Sequence, residues 1–273
     1  MDVREEDTRR AIDVAGWSFG IDTRGTGPPV ILMHGLLTDS RVWDPITRVL
    51  ERSHTVISVD APGHGHSPAR TSPFTLEEEA DALAALAKEL TNGEPAIWIG
   101  HSMGGMKAMR VALAHSSLAR ALVLISTQPY VEPVHSAAPF EALVETMKSD
   151  GMTRDLADVI ARLNFHRSFL GTPVAQSWIE HFSTLDGHEV EHTCHAVYRR
   201  GDISERLGEI TVPCLVIHGS DDVPIRVRVV HAYTELLPDV RLVELPETGH
   251  TPICEHPAKV AEIIGEFLRS LPR

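Results

Sequence analysis

The sequence predicts an α/β fold: a mostly parallel, eight-stranded sheet with helices on both faces and one all-helical insertion. Three observations predict it. Short, wholly apolar runs recur, among them Val30-Ile31-Leu32-Met33 and Cys214-Leu215-Val216-Ile217. Runs without polar alternation belong to strands buried on both faces, as in parallel sheets. Helical periodicity stands between them and sets a strand–loop–helix rhythm, which a parallel sheet with crossover helices requires. That rhythm then stops between Tyr130 and about Leu207, where only helical stripes remain.

Each element has its own signal. Residues 11–24 alternate weakly around Gly16 and Gly20, as two edge strands joined by a turn at Ala15-Gly16 would. Gly25-Thr26-Gly27-Pro28-Pro29 is loop by composition. The first buried strand follows and ends at His34-Gly35. Ser40 is the expected N-cap of a helix through Val42, Ile46, Val49 and Leu50. Residues 55–59 form the next buried strand, ending at Asp60, and the Gly/Pro-rich run 61–68 is a structured loop. Leu76, Ala80, Leu83, Ala87 and Leu90 share one helical face, and Glu77, Glu78 and Glu79 favour its N-terminal end. Strands are expected at 96–99 and 121–125, with a helix over 103–114 between them.

Inside the insertion, Phe140, Leu143, Val144 and Met147 form one stripe. Leu156, Val159, Ile160 and Leu163 form a second, and Trp178 pairs with Phe182. The sheet pattern resumes at 214–217 and 240–245. A helix around 226–237 lies between these strands, and a last helix over 257–268 turns Val260, Ile263, Ile264 and Phe267 inward. The expected division is a core of residues 1–129 and 208–273 and a helical insertion of residues 130–207.

Composition narrows the function classes. The 273 residues, 42% hydrophobic, suffice for a substantial core. A formal net charge of −13 argues against nucleic acid and against anionic membrane as partners. Seven of the first ten residues are charged, which is not the pattern of a secretory leader, and no apolar run reaches membrane-spanning length. Cys194, Cys214 and Cys254 are widely spaced, unlike a disulfide framework or a zinc site. They read as buried thiols of a cytoplasmic protein.

The chemistry gathers around Trp98-Ile99-Gly100-His101-Ser102-Met103-Gly104-Gly105. An apolar strand, Gly-x-Ser-x-Gly and a helix in succession make the layout of a nucleophile elbow, with a serine on a tight strand-to-helix turn. Ligands of an open parallel sheet bind beyond the carboxyl ends of its strands. The residues at those ends are His34-Gly35-Leu36, Asp60, Ser102, Asp222 and His250. The chain order Ser…Asp…His accompanies the elbow.

On these residues the chain resembles the α/β-hydrolase fold superfamily over nearly its whole length. The matching pieces are HGLL, DAPGHGHS, GHSMGG, HGSDD and TGHTPICEHP, in that order. The helical insertion matches the family's cap in position. The resemblance implies Ser102 as nucleophile, His250 as its base and Asp222 as the acid that orients the imidazole. Asp221 is the rival for the acid. It also implies an oxyanion hole made by the backbone N–H groups of Leu36 and Met103.

Serine at the elbow, rather than the aspartate of the superfamily's dehalogenases and epoxide hydrolases, implies acyl transfer to water. The expected substrate is a small ester or lactone, uncharged and moderately hydrophobic, with no cofactor and no metal. Carbon–carbon bond hydrolases and cofactor-free haloperoxidases use the same triad, and some proteins of the fold serve as ligand receptors. Thr251 stands where many of the carbon–carbon hydrolases have tryptophan. Leu37, Tyr130, Phe165, Phe169, Trp178, Phe182, Val223 and Thr251 are the candidates for the substrate pocket.

Other residues read as structural. Asp60 orders its glycine loop, His64 and His66 belong to that loop, and His101 packs. His188, His192 and His195 form a solvated helix face, and Arg199-Arg200 a charged surface pair. Nothing in the sequence sets an oligomeric state.

Overall fold

The computed structural model describes residues 9–272. The strongly charged start, read above for a leader, falls mostly in residues 1–8, outside that range.

Eight strands form one sheet in the order β1-β2-β4-β3-β5-β6-β7-β8. They are β1 (Arg9–Val14), β2 (Trp17–Arg24), β3 (Pro29–Met33), β4 (Thr55–Val59), β5 (Ala96–His101), β6 (Ala119–Ile125), β7 (Cys214–Gly219) and β8 (Val240–Leu245). β1, β2 and β4 pair antiparallel, and every pairing from β4 through β8 is parallel. The central strands are buried on both faces because two cores sandwich them. Ile31, Met33, Trp98, Leu122 and Leu124 enter one core, while their neighbours Val30, Leu32, Ile97, Ile99, Val123 and Ile125 enter the other. This two-sided burial is why their sequences lack alternation.

The helices are α1 (Asp44–Leu50), α2 (Leu76–Leu90), α3 (Met103–Ala114), α4 (Val134–Asp150), α5 (Arg154–Asn164), α6 (Pro173–Phe182), α7 (Gly187–Tyr198), α8 (Val227–Thr234), α9 (Pro252–Glu255) and α10 (Pro257–Ser270). α2 begins with a reciprocal cap: Thr75 Oγ1 accepts from Glu78 N–H at 3.2 Å, and Glu78 Oε2 accepts from Thr75 N–H at 2.8 Å. No helix among the described residues is long and apolar enough to cross a membrane.

Two local expectations differ from the structure. The cap near residue 40 is Asp39, whose carboxylate accepts from Arg41 N–H at 3.0 Å. It opens a 3-10 turn over Ser40–Trp43 before α1 starts at Asp44. Val42, Ile46 and Leu50 stay buried as expected, while Val49 of the same stripe is 43% exposed. The one-turn helix α9, absent from the sequence reading, starts at Pro252, whose fixed φ suits a first helical turn.

Between β6 and β7 the chain runs through α4, α5, α6 and α7 with no strand among the described residues. α4 packs on α7 and α5 on α6. Their apolar faces, including Val144, Ile160, Phe182 and Val190, are continuous with the second core.

Candidate active site

The carboxyl ends of the parallel strands bring the predicted residues to one edge. Ser102 stands between β5 and α3, Leu36 and Leu37 follow β3, Asp222 follows β7, and His250 follows β8. Ser102 and His250 line one cleft with Leu36, Leu37 and His101.

Ser102 has φ +49° and ψ −112°. A serine in this region is strained, so its surroundings must hold it there. Its N–H donates to the Ile125 carbonyl at 2.8 Å, and its carbonyl accepts from Thr127 Oγ1 at 2.7 Å. The elbow glycines answer to space. A Cβ on Gly100 would collide with the Gly104 carbonyl, and one on Gly104 with the Met33 carbonyl. Both obstacles are backbone and cannot step aside.

His250 is 5% exposed, and its Nδ1 lies 2.8 Å from Asp222 Oδ2. Asp222 Oδ1 accepts from Ile225 N–H at 2.8 Å. Its rival Asp221 faces elsewhere, with its Oδ2 accepting from Ser220 Oγ at 2.6 Å. The imidazole is thus hydrogen-bonded to Asp222 and, among the described contacts, not to Ser102. Serine–imidazole bonds commonly tighten only around bound substrate.

His101 supports this arrangement from beneath. Its Nε2 lies 2.7 Å from the His250 carbonyl. A carbonyl only accepts, so the ring proton is on Nε2 and Nδ1 is bare. Burial pulls the His101 pKa down to about 3, with the neighbouring His250 adding to the shift. The ring therefore stays neutral beside His250.

The amides of Leu36 and Met103 donate to no intramolecular acceptor among the described residues. Met103 is the first residue of α3, where helical N–H groups are free and the dipole favours negative charge. The loop carrying Leu36 is tied down by two further histidines. His34 Nδ1–H donates to Gly35 O at 2.7 Å while its Nε2 accepts from Ala61 N–H at 2.9 Å. His64 Nε2 accepts from Leu37 N–H at 3.1 Å while its Nδ1–H donates to Pro62 O at 2.9 Å. Burial lowers their pKa values to about 4 and about 3. Asp60 accepts from Ser40 N–H at 2.7 Å and from His66 N–H at 2.9 Å, joining the two loops. His64 is thus more than a member of its loop, since it holds the Leu37 amide. Its signal was the pairing of HG after one strand with the histidines after the next.

The walls of the cleft differ from those expected. Of the pocket candidates, Leu37 lines it, together with Met106, Phe140, Leu143, Ile160, Leu163, Val197 and Tyr198. Phe165, Trp178 and Phe182 belong to the second core and Phe169 packs against it, with the rings of Phe165 and Phe169 5.3 Å apart and those of Trp178 and Phe182 6.2 Å apart. Tyr130 packs against the first core. Val223 is 42% exposed, and buried Thr251 sits 3.4 Å from Asn164 Oδ1 through its hydroxyl. None of these seven lines the cleft. These aromatic residues at helical spacing serve the second core instead.

Arg200 corrects the reading of a charged surface pair. Arg199 is exposed and pairs with Glu141, but Arg200 is buried and lines the cleft with Glu132 and Gln128. All three of its nitrogens are engaged: Nε with Tyr130 O at 2.9 Å, and one Nη each with Val197 O at 2.7 Å and Glu132 at 2.8 Å. It straps together the two segments where the insertion leaves and rejoins the sheet. Of the three helix-face histidines, His195 comes near Glu145 and Glu191, where Lys148 Nζ already bonds both carboxylates at 3.2 and 2.7 Å.

Comparison with known proteins agrees with this architecture. Residues 28–257 match the family model of the alpha/beta hydrolase fold. The chain belongs to that family. It is similar to the pimeloyl-[acyl-carrier protein] methyl ester esterase of Xylella fastidiosa, 26% identical over 262 residues, covering 92% of this chain and 99% of the relative. The 2-(acetamidomethylene)succinate hydrolase of Mesorhizobium japonicum is 25% identical over 250 residues, covering 88% of each. Among solved structures, a thermophilic esterase from Thermogutta terrifontis superposes with a TM-score of 0.89 at 24% identity, covering 96% of this chain and 98% of that one. An enol-lactonase from Burkholderia xenovorans does so with 0.88 at 24% identity, covering 96% and 100%. At that identity the two structures speak for the fold.

Proposed function

We propose that the chain is a serine hydrolase that cleaves a carboxylic ester or lactone through an acyl-enzyme on Ser102. One observation carries this reading. A strained serine, an imidazole bonded to a buried carboxylate, and two unspent backbone amides all converge at the same strand edge.

The cycle follows from these groups. His250 takes the Ser102 proton as Oγ attacks the substrate carbonyl carbon. Asp222 fixes the imidazole with its proton on Nδ1 and stabilises the imidazolium. The carbonyl oxygen becomes an oxyanion and accepts from the Leu36 and Met103 amides, each worth about 3–4 kcal/mol in comparable sites. The imidazolium then gives its proton to the leaving alkoxide. Water, deprotonated by His250, attacks the acyl-enzyme and releases the acid and the free serine.

The helical insertion acts as a cap in this reading, since its residues supply most of the cleft's apolar wall. The substrate is uncharged and moderately hydrophobic. The charged residues of the wall do not oppose this, because Arg200 and Glu132 neutralise each other and every Arg200 nitrogen already has a protein acceptor. The names of the relatives, esterases among them, point to the same reaction class.

A panel of p-nitrophenyl esters and lactones, varied on the acyl and alcohol sides, tests the assignment. Wild type is expected to turn over steadily and to favour neutral, medium-length acyl groups. Ser102→Ala should lower kcat by about 10⁴–10⁶. Equal rates for Ser102→Ala and wild type would remove the assignment.

A further inference from the structure

Helix α6 of the insertion reaches the loop after β3 through His181. Arg41 Nη2 lies 2.9 Å from His181 Nδ1. A guanidinium only donates, so Nδ1 must be bare and the ring proton must sit on Nε2. That nitrogen lies 3.2 Å from the Leu37 carbonyl. The tautomer that Arg41 imposes is therefore the one that can donate to Leu37.

Arg41 is itself held. Its Nε bonds both Asp39 oxygens at 2.9 and 3.1 Å, and its Nη2 bonds Asp39 Oδ2 at 2.6 Å. Its guanidinium carbon stands 5.6 Å from the Trp178 ring centroid, and Trp178 meets His181 edge-on at 5.2 Å.

Leu37 needs such support. Its φ is +64°, a conformation that a leucine adopts only at a cost. Two imidazoles bracket it. His64, from the core, accepts from its N–H at 3.1 Å, and His181, from the insertion, donates to its carbonyl. The preceding residue, Leu36, carries one of the two unspent amides.

We propose that His181 is a positioning residue that couples the seating of helix α6 to the aim of the Leu36 amide, making the oxyanion site a joint product of core and insertion. This rests on the reading of Leu36 N–H as an oxyanion donor. His181 does not touch the reacting atoms. It acts through Leu37.

Two variants test this. His181→Leu keeps the bulk and removes the donor, while His181→Gln restores an N–H that can reach the Leu37 carbonyl. An interaction felt only in the transition state lowers kcat and leaves KM in place. His181→Leu is therefore expected to lose about tenfold or more in kcat with KM within about twofold. Its affinity for an alkylboronic acid, which forms a tetrahedral adduct on serine, should fall by the same factor as kcat/KM. His181→Gln should recover most of both. Amide hydrogen exchange at Leu36–Leu37 should be faster in His181→Leu than in wild type.

Wild-type kcat in His181→Leu, or a raised KM with kcat unchanged, would overturn the proposal. Labelling of Ser102 by a fluorophosphonate separates the two levels. A labelled, active wild type beside an unaffected His181→Leu removes the coupling alone. A wild type that neither labels nor turns over removes the serine reading and this proposal with it.

Discussion

At Asp222 the two carboxylate oxygens divide their partners: Oδ1 takes the Ile225 amide and Oδ2 the His250 imidazole. An asparagine there would offer an N–H where the imidazole needs an acceptor, and the ring would lose its tautomer. Asp222→Asn is accordingly expected to lower kcat by about 10⁴. Asp221→Asn, whose carboxylate accepts from Ser220 and shows no bond to His250 among the described residues, should stay within a few-fold of wild type. Steady-state hydrolysis of one p-nitrophenyl ester by both variants checks this, and a large loss confined to Asp221→Asn would reverse the assignment. Ser102, Asp222 and His250 were readable because each follows an apolar run, so their positions at one sheet edge follow from the strands alone. Arg200 was not. Its burial depends on the carbonyls of Tyr130 and Val197, which no side-chain pattern reveals.

The elbow's helix is anchored by a charge pair of its own. Lys107 on α3 meets Glu79 on α2 at 2.6 Å, with side chains 3% and 0% exposed. Burial holds the Lys107 pKa below its ordinary value, opposed by the attraction of Glu79. Removing one partner strands the other charge. Lys107→Met is expected to cost about 3–5 kcal/mol in urea unfolding, and the double variant with Glu79→Leu should recover much of that. A single variant as stable as wild type would show the pair to be dispensable. Gly104→Ala, whose Cβ would meet the Met33 carbonyl, should also melt well below wild type. At this scale the sheet was almost fully legible, since two-sided burial makes apolar runs. The pocket wall was not, because a helical stripe shows that a face is buried without showing against what. Phe140 and Leu143 reached the cleft, while Trp178 and Phe182 joined the second core away from it.

Across the whole molecule, buried imidazoles give stability a pH dependence, His34, His64 and His101 foremost. His34, His64 and His101 are neutral in the fold because burial lowers their pKa values to about 4, 3 and 3. In the unfolded chain each titrates near 6.5. Below that pH the unfolded state takes up protons that the folded state refuses. Their contribution is complete above about pH 6.5 and is lost as pH falls toward the folded values. Each costs about 2 kcal/mol by pH 5. Thermal melts are expected to be level near pH 7–8 and to drop steeply by pH 5. A Tm unchanged over that interval would mean that these rings are not held neutral. His34 and His64 hold the loop that aims the proposed Leu36 amide, and a neutral His101 keeps positive charge away from His250.

The proposed function requires that this assembly activate one serine. Reaction with a fluorophosphonate, followed by peptide mass mapping, tests it most directly. A single stoichiometric adduct on Ser102 is expected, formed in parallel with loss of ester hydrolysis and absent from His250→Ala. A folded protein that forms no adduct, or carries it on another residue while hydrolysis stops, would contradict it.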